Sequence, residues 1–401
     1  MGNSHSVGGR APVHTFASSK SWIDGKALDQ QDHVAGLAGV CAVAGMPDLH
    51  PGKYGPVGCA ILADRVYPEL AGSDIGCGMA LYRLSSGVRG LRPDKLAGRL
   101  RVLDAPWEGD ARARLAAAGL ASSAFDAALG SIGGGNHFCE IQGIDEIFDE
   151  AAAQAAGLDR SAAYVLVHSG SRGLGRHILE MHLGAGGGPL AAGGTAARDY
   201  LTQHDAAVTW ACLNRRIIAE RAADAARGEL LLINDVGHNL VEAYPYSGAA
   251  GQMPSAPFLH RKGAACADRG LVPIPGSRGT LSYLVAPLAP EGGASLASLA
   301  HGAGRKHDRA SMHGRVATKK SDLAKLTRNP FGGFVVCEDR DLLVEEAPEA
   351  YKAIDRVIEA LETHGLARVV ASFKPLVTFK TARNRREISE HRWRAKREAR
   401  R

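Results

Sequence analysis

The sequence lacks the features that define a secreted or membrane protein. No apolar run approaches the ~18 residues that a membrane-spanning helix needs. The opening residues, MGNSHSVGGRAPVHTF, contain no apolar stretch of the kind found in a signal peptide. The seven cysteines are odd in number and widely spaced, without a CxxC pair. We therefore expect a cytoplasmic protein with no membrane association and no disulfide framework.

The common nucleotide-binding signatures are absent as well. There is no Walker A sequence, and the glycine spacings do not match a dinucleotide-binding fingerprint. Aromatic residues make up only 5% of the chain, and we find no tandem repeats. A P-loop or Rossmann-type site is therefore not predicted, and any nucleotide site must be built in another way.

Glycine, in contrast, is abundant, at 49 of 401 residues, against an average near ~7%. Much of it lies in five turns that also carry histidine, cysteine or aspartate. Three of these turns follow an apolar run that resembles a strand, and a strand that ends in a glycine turn is a rigid mount for a ligand. The repeated pattern predicts one convergent site. The turns are GSDIGCGM (72–79), GGGNHF (133–138), VHSGSRG (167–173), DVGHN (235–239) and HGAGR (301–305), and their candidate residues are Asp74, Cys77, His137, His168, His238 and His301.

The candidate residues suit a metal centre. Asp74 and Cys77 are three residues apart and can chelate a metal from one turn. A thiolate, a carboxylate and several imidazoles favour Zn or Mn over Ca or Mg, and a thiolate can bridge two ions. Taken alone, Cys77 would more simply be a buried structural thiol, and a single turn histidine could be merely hydrogen-bonded.

The coarse secondary structure mixes helices and strands without strict alternation. Residues 204–227 form the strongest helix pattern, whereas 161–170 and 229–235 are typical of buried strands. Residues 46–59 look like a long turn-rich loop, and 294–318 should start a helix behind HGAGR. The ligand-bearing turns span most of the chain. We therefore expect an α+β fold: one large mixed α/β domain with a central β core, its metal site built from strand-end glycine turns.

Several basic and hydroxyl residues are candidates for phosphate contacts. The segment PIPGSRGTLS (273–282) offers consecutive backbone N–H groups with Ser277, Arg278 and Ser282, and predicts an anion cradle. His301 would precede a helix, where an anion could bind; it could be a further ligand, a general acid or base, or a nucleophile toward phosphorus. The RNA or phosphate candidates are Arg172, Arg215, Arg261 and Lys262, with a salt-bridged surface role as the alternative for Arg215.

The formal net charge of +6 is concentrated at the C-terminus. Residues 381–401 hold nine Arg or Lys and three Glu, so this segment alone accounts for the whole +6. We expect a basic extension, 381–401, attached to a catalytic domain, 1–380. The extension is either a contact for RNA phosphates or a solvated end of the chain.

Together these motifs resemble the RtcB family of RNA ligases. MPDLHPG, GSDIGCGM, GGGNHF, HSGSRG, HN, HRKGA, IPGSRG with SYLV, and HGAGR occur in the family's order, from about residue 20 to 380. The opening SSKSWIDGKALDQ and the compact length look most like the branch coupled to peptide release factor H.

The resemblance implies a GTP- and Mn²⁺-dependent ligase that joins an RNA 3′-phosphate or 2′,3′-cyclic phosphate to a 5′-hydroxyl. Asp74, Cys77 and His137 would hold one Mn²⁺, and Cys77, His168 and His238 a second. His301 would be the nucleophile that carries GMP. The implied guanylate contacts are Asn136, His137, Phe138, Cys139, Glu140, His238, Asn239, Pro275, Gly276, Ser277, Arg278, Ser282, His301, Gly302, Ala303, Gly304 and Lys380.

The resemblance also implies partners, and the sequence departs from the family in places. The RNA substrate would be cleaved ribosomal RNA or transfer RNA, with an archease-type activator as a further expected partner. Lys380 is followed by Thr381 and the basic extension, where the family usually ends, and Cys139 replaces an apolar residue or alanine. His307 and His313 are interpreted as surface residues.

Two other classes of function compete with this interpretation. A dinuclear metal-dependent RNA-end phosphatase or cyclic phosphodiesterase could use the same ligands without a covalent nucleotide. A non-catalytic RNA- or ribosome-binding protein could rely on the basic extension. HGAGR together with IPGSRG favours the ligase, because a hydrolase has no use for a guanylate site.

Overall fold

The structure is a computed structural model that describes residues 3–5, 10–244, 257–288, 293–316 and 320–383. Strands are spread over the whole of these ranges. They are β1 Asn3–His5, β2 Val13–Thr15, β3 Val40–His50, β4 Val57–Ala63, β5 Arg65–Val66, β6 Gly78–Gly87, β7 Phe138–Ile147, β8 Ala162–Ser169, β9 Leu190–Ala191, β10 Leu230–Gly237, β11 Asn239–Ala243, β12 Phe258–Lys262, β13 Ala264–Cys266, β14 Val272–Pro275, β15 Ser282–Pro287, β16 Ser298–Ala300, β17 Phe334–Cys337 and β18 Ala367–Thr381.

Helices lie between the strands without a regular alternation. None of those in the described ranges combines the length and the apolar character needed to cross a membrane. They are α1 Gly25–Ala35, α2 Pro68–Ala71, α3 Pro93–Arg99, α4 Ala111–Ala117, α5 Glu150–Ala155, α6 Gly173–Gly184, α7 Thr195–Ala226, α8 Arg309–Met312, α9 Lys320–Lys325, α10 Arg340–Glu345 and α11 Ile354–Thr363.

The central element is a curled sheet in the order β10-β6-β8-β7-β18-β15-β14, with β17 pairing in parallel beside β18. The other neighbours in this order are antiparallel. The edge strand β14 also packs near β10 and β6, so the sheet curls back on itself. The expected α+β fold with a central β core is confirmed.

A second sheet, in the order β1-β2-β3-β4-β12-β11, packs beside the first. Apolar side chains from both sheets and from α11 share one core, in which Met46, Leu62, Ile274 and Leu361 are buried. On the other side, the long helix α7 covers β6 and β8 with a separate apolar cluster. The domain therefore has several packed layers around the central sheet.

The register of the central sheet explains why distant turns meet. β6 starts at Gly78 opposite Ser169, at the end of β8, and Phe138, at the start of β7, lies opposite His168. Gly78 also pairs with Gly237, at the end of β10. Antiparallel strands alternate in direction, so the starts of β6 and β7 and the ends of β8 and β10 lie at the same end of the sheet. The glycine turns are at that end.

Three of the expected element assignments are wrong. Residues 46–50 are not a loop but the last part of β3, and β10 is not a buried strand, because Leu231 and Leu232 are about half exposed at the sheet edge. No helix begins at the turn that holds His301: the α-helix in the described part of 294–318, α8, starts only at Arg309. The reason is local, since Gly304 has a φ of 68° and lies against the backbone of Asp48, which a helical turn could not do. The 204–227 helix is confirmed and extends back to Thr195.

Candidate active site and metal centre

The glycine turns open into one cavity of about 1080 Å³. Its walls come from the edge of the central sheet, from the end of β3 with the turn after it, and from the loop after β16. Of the turn residues singled out in the sequence, all six line it: Asp74, Cys77, His137, His168, His238 and His301.

Asp74, Cys77 and His137 form the first of two ligand sets. His137 Nε2 lies 2.8 Å from Asp74 Oδ2 and 3.3 Å from Cys77 Sγ. Burial acts to raise the pKa of Asp74. The nearby His137 and Arg172 outweigh burial, so the pKa of Asp74 is lowered and its side chain is a carboxylate. These atoms lie close enough together to share one ion.

Cys77, His168 and His238 form the second set. His168 Nε2 is 3.2 Å from Cys77 Sγ and 3.4 Å from His238 Nε2. Burial, and then the neighbouring histidines, lower the pKa of His168 far below its ordinary value; burial also lowers that of His238. Neutral imidazoles with facing nitrogens are in the form that binds metal ions. The residues present therefore fit two ions that share the Cys77 sulfur.

Arg172 holds an unusual backbone conformation at the edge of this centre. Its φ of 60° is one of the few positive values of non-glycine residues in the described chain. Strained residues of this kind concentrate at functional sites. The side chain lies with Nη1 3.3 Å from His137 Nδ1, and it lines the cavity. The structure thus places the Arg172 guanidinium in the cavity wall beside the first ligand set.

His301 lies beside the second ligand set and is held by a carboxylate. Its Nδ1 is 2.6 Å from Asp48 Oδ2, and its backbone N–H donates to the same oxygen at 3.1 Å. The His301 and His238 rings are 4.8 Å apart. A carboxylate beside Nδ1 keeps the proton on that nitrogen and leaves Nε2 with its lone pair. Asp48 therefore lies against Nδ1, while the hydrogen bond that it accepts in this structure comes from the His301 backbone N–H.

The Asp48 segment is itself anchored by a buried lysine. Lys352 Nζ donates to the carbonyls of Pro47 and Leu49 at 3.1 and 2.6 Å. Burial lowers the pKa of Lys352 to about 8. Sequence reasoning missed Asp48 because it placed 46–59 in a loop. The usable signal was the conjunction of Asp48 and His50 in the MPDLHPG motif.

The far side of the cavity contains a buried polar network. Burial raises the pKa of Glu140 to about 7, against the effect of its hydrogen bonds from Thr378 and Gln142. Lys380 Nζ donates to the His137 carbonyl at 3.2 Å, and burial lowers its pKa. Lys380 thus points into the cavity although the chain continues beyond it.

The other implied guanylate positions are mostly in place. Of the seventeen, only Cys139 and Ser282 do not line the cavity. Cys139 is buried in the core behind the sheet, and Ser282 accepts a hydrogen bond from Gln142 at 3.0 Å. The metal-type ligands, His301, Glu140 and Lys380 have been described above. The remaining guanylate positions that line the cavity are Asn136, Phe138, Asn239, Pro275, Gly276, Ser277, Arg278, Gly302, Ala303 and Gly304.

The anion cradle predicted for 273–282 is wrong. The backbone N–H groups of Gly276, Ser277 and Thr280 are donated within the turn itself. The Arg278 guanidinium is buried and donates to the carbonyls of Glu346 and Leu343 at 2.8 and 2.7 Å. These N–H groups are used within the turn, so they are not free to bind an anion in the cavity.

Two of the expected RNA contacts are also corrected. Arg215 is almost completely buried, and its Nη1 donates to the carbonyls of Gly76 and Ser169. Arg261 is fully buried and pairs with Glu242. Both guanidinium groups are held inside the protein and cannot reach an RNA strand. Lys262 is buried outside the cavity lining, and burial lowers its pKa to about 8.

Other basic residues line the cavity in their place, although the sequence analysis did not single them out. They are Lys26, Lys53, Arg176, Arg305 and Arg309. The extension 381–401 is described only as far as Arg383, so its predicted role lies outside the described residues.

Two groups of possible metal ligands that share a thiol lie in one cavity with a histidine that contacts a carboxylate. Comparison with known families identifies the class of protein. The family model described as "tRNA-splicing ligase RtcB" matches residues 30–107, 108–187 and 189–381. The chain belongs to this family.

Individual relatives agree with the family match. The "RNA-splicing ligase RtcB2" of Escherichia coli is 42% identical over 372 residues, which is 92% of this chain and 96% of the relative. The "RNA-splicing ligase RtcB" of Mycobacterium tuberculosis is 36% identical over 288 residues, 62% of this chain and 63% of the relative. The "tRNA-splicing ligase RtcB" of Archaeoglobus fulgidus is 28% identical over 463 aligned positions, 93% of this chain and 95% of the relative.

Proposed function

We propose that this protein is a GTP- and Mn²⁺-dependent RNA ligase that joins a 3′-phosphate or 2′,3′-cyclic phosphate end to a 5′-hydroxyl end. Family membership and the names of the relatives support RNA ligation in general. The observation that carries the finer proposal is the pairing of His301 with Asp48 beside two ligand sets. A metallohydrolase could use the same imidazole as a general acid or base, so the covalent His301–GMP adduct is the property that separates the two functions.

The first step is nucleotidyl transfer to His301. Nε2 attacks the α-phosphorus of GTP, a P–N bond forms, the bond to the β-phosphate oxygen breaks, and pyrophosphate leaves. Asp48 holds the proton on Nδ1 and stabilises the positive charge that develops on the ring. Ions bound by the two sets would supply positive charge to the phosphate oxygens during this transfer.

The later steps use the bound GMP as a leaving group. An oxygen of the RNA 3′-phosphate attacks the phosphorus on His301, the P–N bond breaks, and the 3′ end is capped with GMP. The 5′-hydroxyl oxygen then attacks the 3′-phosphorus and GMP departs. Capping matters because hydroxide is a poor leaving group from a phosphate monoester. For a cyclic phosphate end, hydrolysis to the 3′-phosphate comes first.

The polar network opposite His301 suits a guanine base. Glu140 accepts hydrogen bonds when ionised, and Lys380 is close to the same wall. We assign guanine recognition to these two residues and the backbone that surrounds them. A base edge with adjacent N–H groups pairs well with a buried carboxylate.

The partners follow from the same proposal. The substrate is a cleaved ribosomal or transfer RNA, acted on in the cytoplasm, with coupling to peptide release factor H and activation by an archease-type protein as further proposals. The extension 381–401 is proposed as an accessory RNA contact outside the catalytic domain.

Labelling with α-³²P-GTP and Mn²⁺ tests the proposal directly. We expect an acid-labile, alkali-stable protein–GMP bond in the wild type and none in His301→Ala, with metal content unchanged in the variant. His313→Ala, in an exposed histidine that does not line the cavity, is the matched control and should label normally. A metal-loaded, folded protein that opens cyclic phosphates or releases phosphate without labelling, even with an activator, would favour the metallohydrolase instead.

A further inference from the structure

An exposed tryptophan lies beside the opening of the active-site cavity. Trp22 is 42% exposed, which is unusual for so large an apolar side chain. Its ring is 6.5 Å from that of His307 and tilted by 51° to it, and we call these two neighbouring rings the platform. Trp22 precedes α1 by three residues, and neither ring is needed to fill a core cluster.

The platform connects to the cavity on both sides. Lys26, four residues after Trp22, lines the cavity. On the other side, the His307 carbonyl accepts a hydrogen bond at 3.0 Å from Arg305, which also lines the cavity. Trp22 is therefore joined to two segments that contribute residues to the cavity wall, one through Lys26 and the other through His307 and Arg305.

The surroundings of the platform are positively charged. Lys306 and Arg315 are exposed, and after burial their charges are the main causes that lower the pKa of His307. The nearby carboxylates are engaged elsewhere: Asp24 caps α1, and Asp308 caps α8. We call Trp22, His307, Lys26, Lys306 and Arg315 the Trp22 patch.

We propose that the Trp22 patch binds single-stranded RNA next to a reacting end, with a nucleobase stacked on the Trp22 ring. Aromatic rings combined with lysine and arginine are the usual means of holding single strands without regard to sequence, since every base has a face to stack. The inference rests on the proposed ligase function for its substrate. It adds a position outside the cavity that orders the strand before the chemistry.

Phe148 is also exposed, but it lies in acidic surroundings. It is 53% exposed, more than Trp22, but the pocket that it lines carries five carboxylates, those of Asp149, Glu150, Asp355, Glu359 and Glu362, against one guanidinium, that of Arg368. A phosphate backbone would be repelled there. Phe148→Ala is therefore the matched control for Trp22→Ala, because each removes one exposed aromatic ring.

The test measures binding of a short single-stranded RNA with hydroxyl groups at both ends, which the enzyme cannot ligate. Trp22→Ala should weaken binding roughly five- to hundredfold, the range for loss of one stacked base. Trp22→Phe should keep most of the affinity, and Phe148→Ala all of it. The quenching of tryptophan fluorescence by RNA should be larger in wild type than in Trp22→Phe, since Trp22 is then absent.

Abasic substitutions along the RNA locate the stacked base. Removing the base at one position of the RNA should lower the affinity of wild type but change the affinity of Trp22→Ala very little. A general folding defect would not produce this coupling between one base and one side chain. Unchanged affinity in Trp22→Ala, or equal abasic effects in both proteins, would overturn the proposal and leave the patch for a protein partner. Labelling of His301 with GTP is scored separately. If wild-type protein formed no labelled His301, the ligase proposal would be refuted. The comparison of RNA binding by wild type and Trp22→Ala would still test whether a base stacks on Trp22.

Discussion

The buried Arg215 guanidinium and the partly buried Asp235 carboxylate form an ion pair behind the metal-type ligands, with Nε 2.7 Å from Oδ1. The same guanidinium donates to the carbonyls of Gly76 and Ser169, at 2.7 and 2.9 Å. These two carbonyls belong to the turns that follow Asp74 and His168. One side chain of helix α7 therefore joins three of the segments that carry ligands.

Arg215→Met should destabilise the fold by about 3–5 kcal/mol, because it leaves the partly buried Asp235 carboxylate without its partner. Chemical denaturation of the metal-free protein measures this loss. Arg216→Ala, next along the same helix, removes an exposed side chain that pairs with Glu220 and should cost only about 0.5 kcal/mol or less. Equal losses in the two variants would contradict the structural role assigned to Arg215.

Asp48→Asn should slow the labelling of His301 by roughly a hundredfold or more, as expected when an imidazole loses the carboxylate that sets its tautomer. Metal content should stay at the wild-type level, since Asp48 belongs to neither ligand set. The rate of GMP attachment in single-turnover experiments gives the measurement. Asp64→Asn, a change near the protein surface, serves as the control, and a wild-type rate in Asp48→Asn would exclude the proposed role.

Cys77→Ala should abolish the binding of both ions, because its sulfur belongs to both ligand sets. Elemental analysis of protein loaded with Mn²⁺ and then desalted gives the metal content. Cys139→Ala is the matched control, since that thiol is buried but lies outside the cavity lining. If Cys77→Ala kept one ion at wild-type affinity, the sulfur would not be shared.

His260 should make the fold sensitive to acid. Its Nε2 accepts a hydrogen bond from the Tyr67 N–H at 2.9 Å, and burial, with a contribution from His204, lowers its pKa from 6.5 to about 4. The unfolded chain therefore takes up this proton first as the pH falls. The stability present above pH 6.5 is lost progressively down to about pH 4 and changes no further below it.

The loss from His260 amounts to about 3 kcal/mol, from a pKa difference of about 2.5 units. The free energy of unfolding, measured between pH 7 and 4 in wild type and in His260→Gln, isolates it. Other buried histidines contribute equally to both proteins and cancel in the difference. The wild type should lose stability more steeply; parallel curves would contradict the assignment.

Much of the site could be predicted from local sequence. A metal-type side chain next to a glycine turn, after an apolar run, can be read within about ten residues, and all six such residues line one cavity. The helix at 204–227 could also be predicted, because the helical spacing of its apolar residues is visible within the segment itself. What failed depended on distant partners: Arg215 and Arg261 look like phosphate contacts until their partly buried acidic partners are known.

The sequence by itself determined the family, the α+β class and the chemical identity of the candidate ligands, because each of these depends on residue types at short spacing. The tertiary structure alone decided that Asp48 holds His301, across 253 residues of chain. It also decided that Trp22 meets His307, and that the turn at 273–282 closes on itself. Contacts of this kind depend on strand register and on packing between sheets, which the order of residues along one segment does not encode.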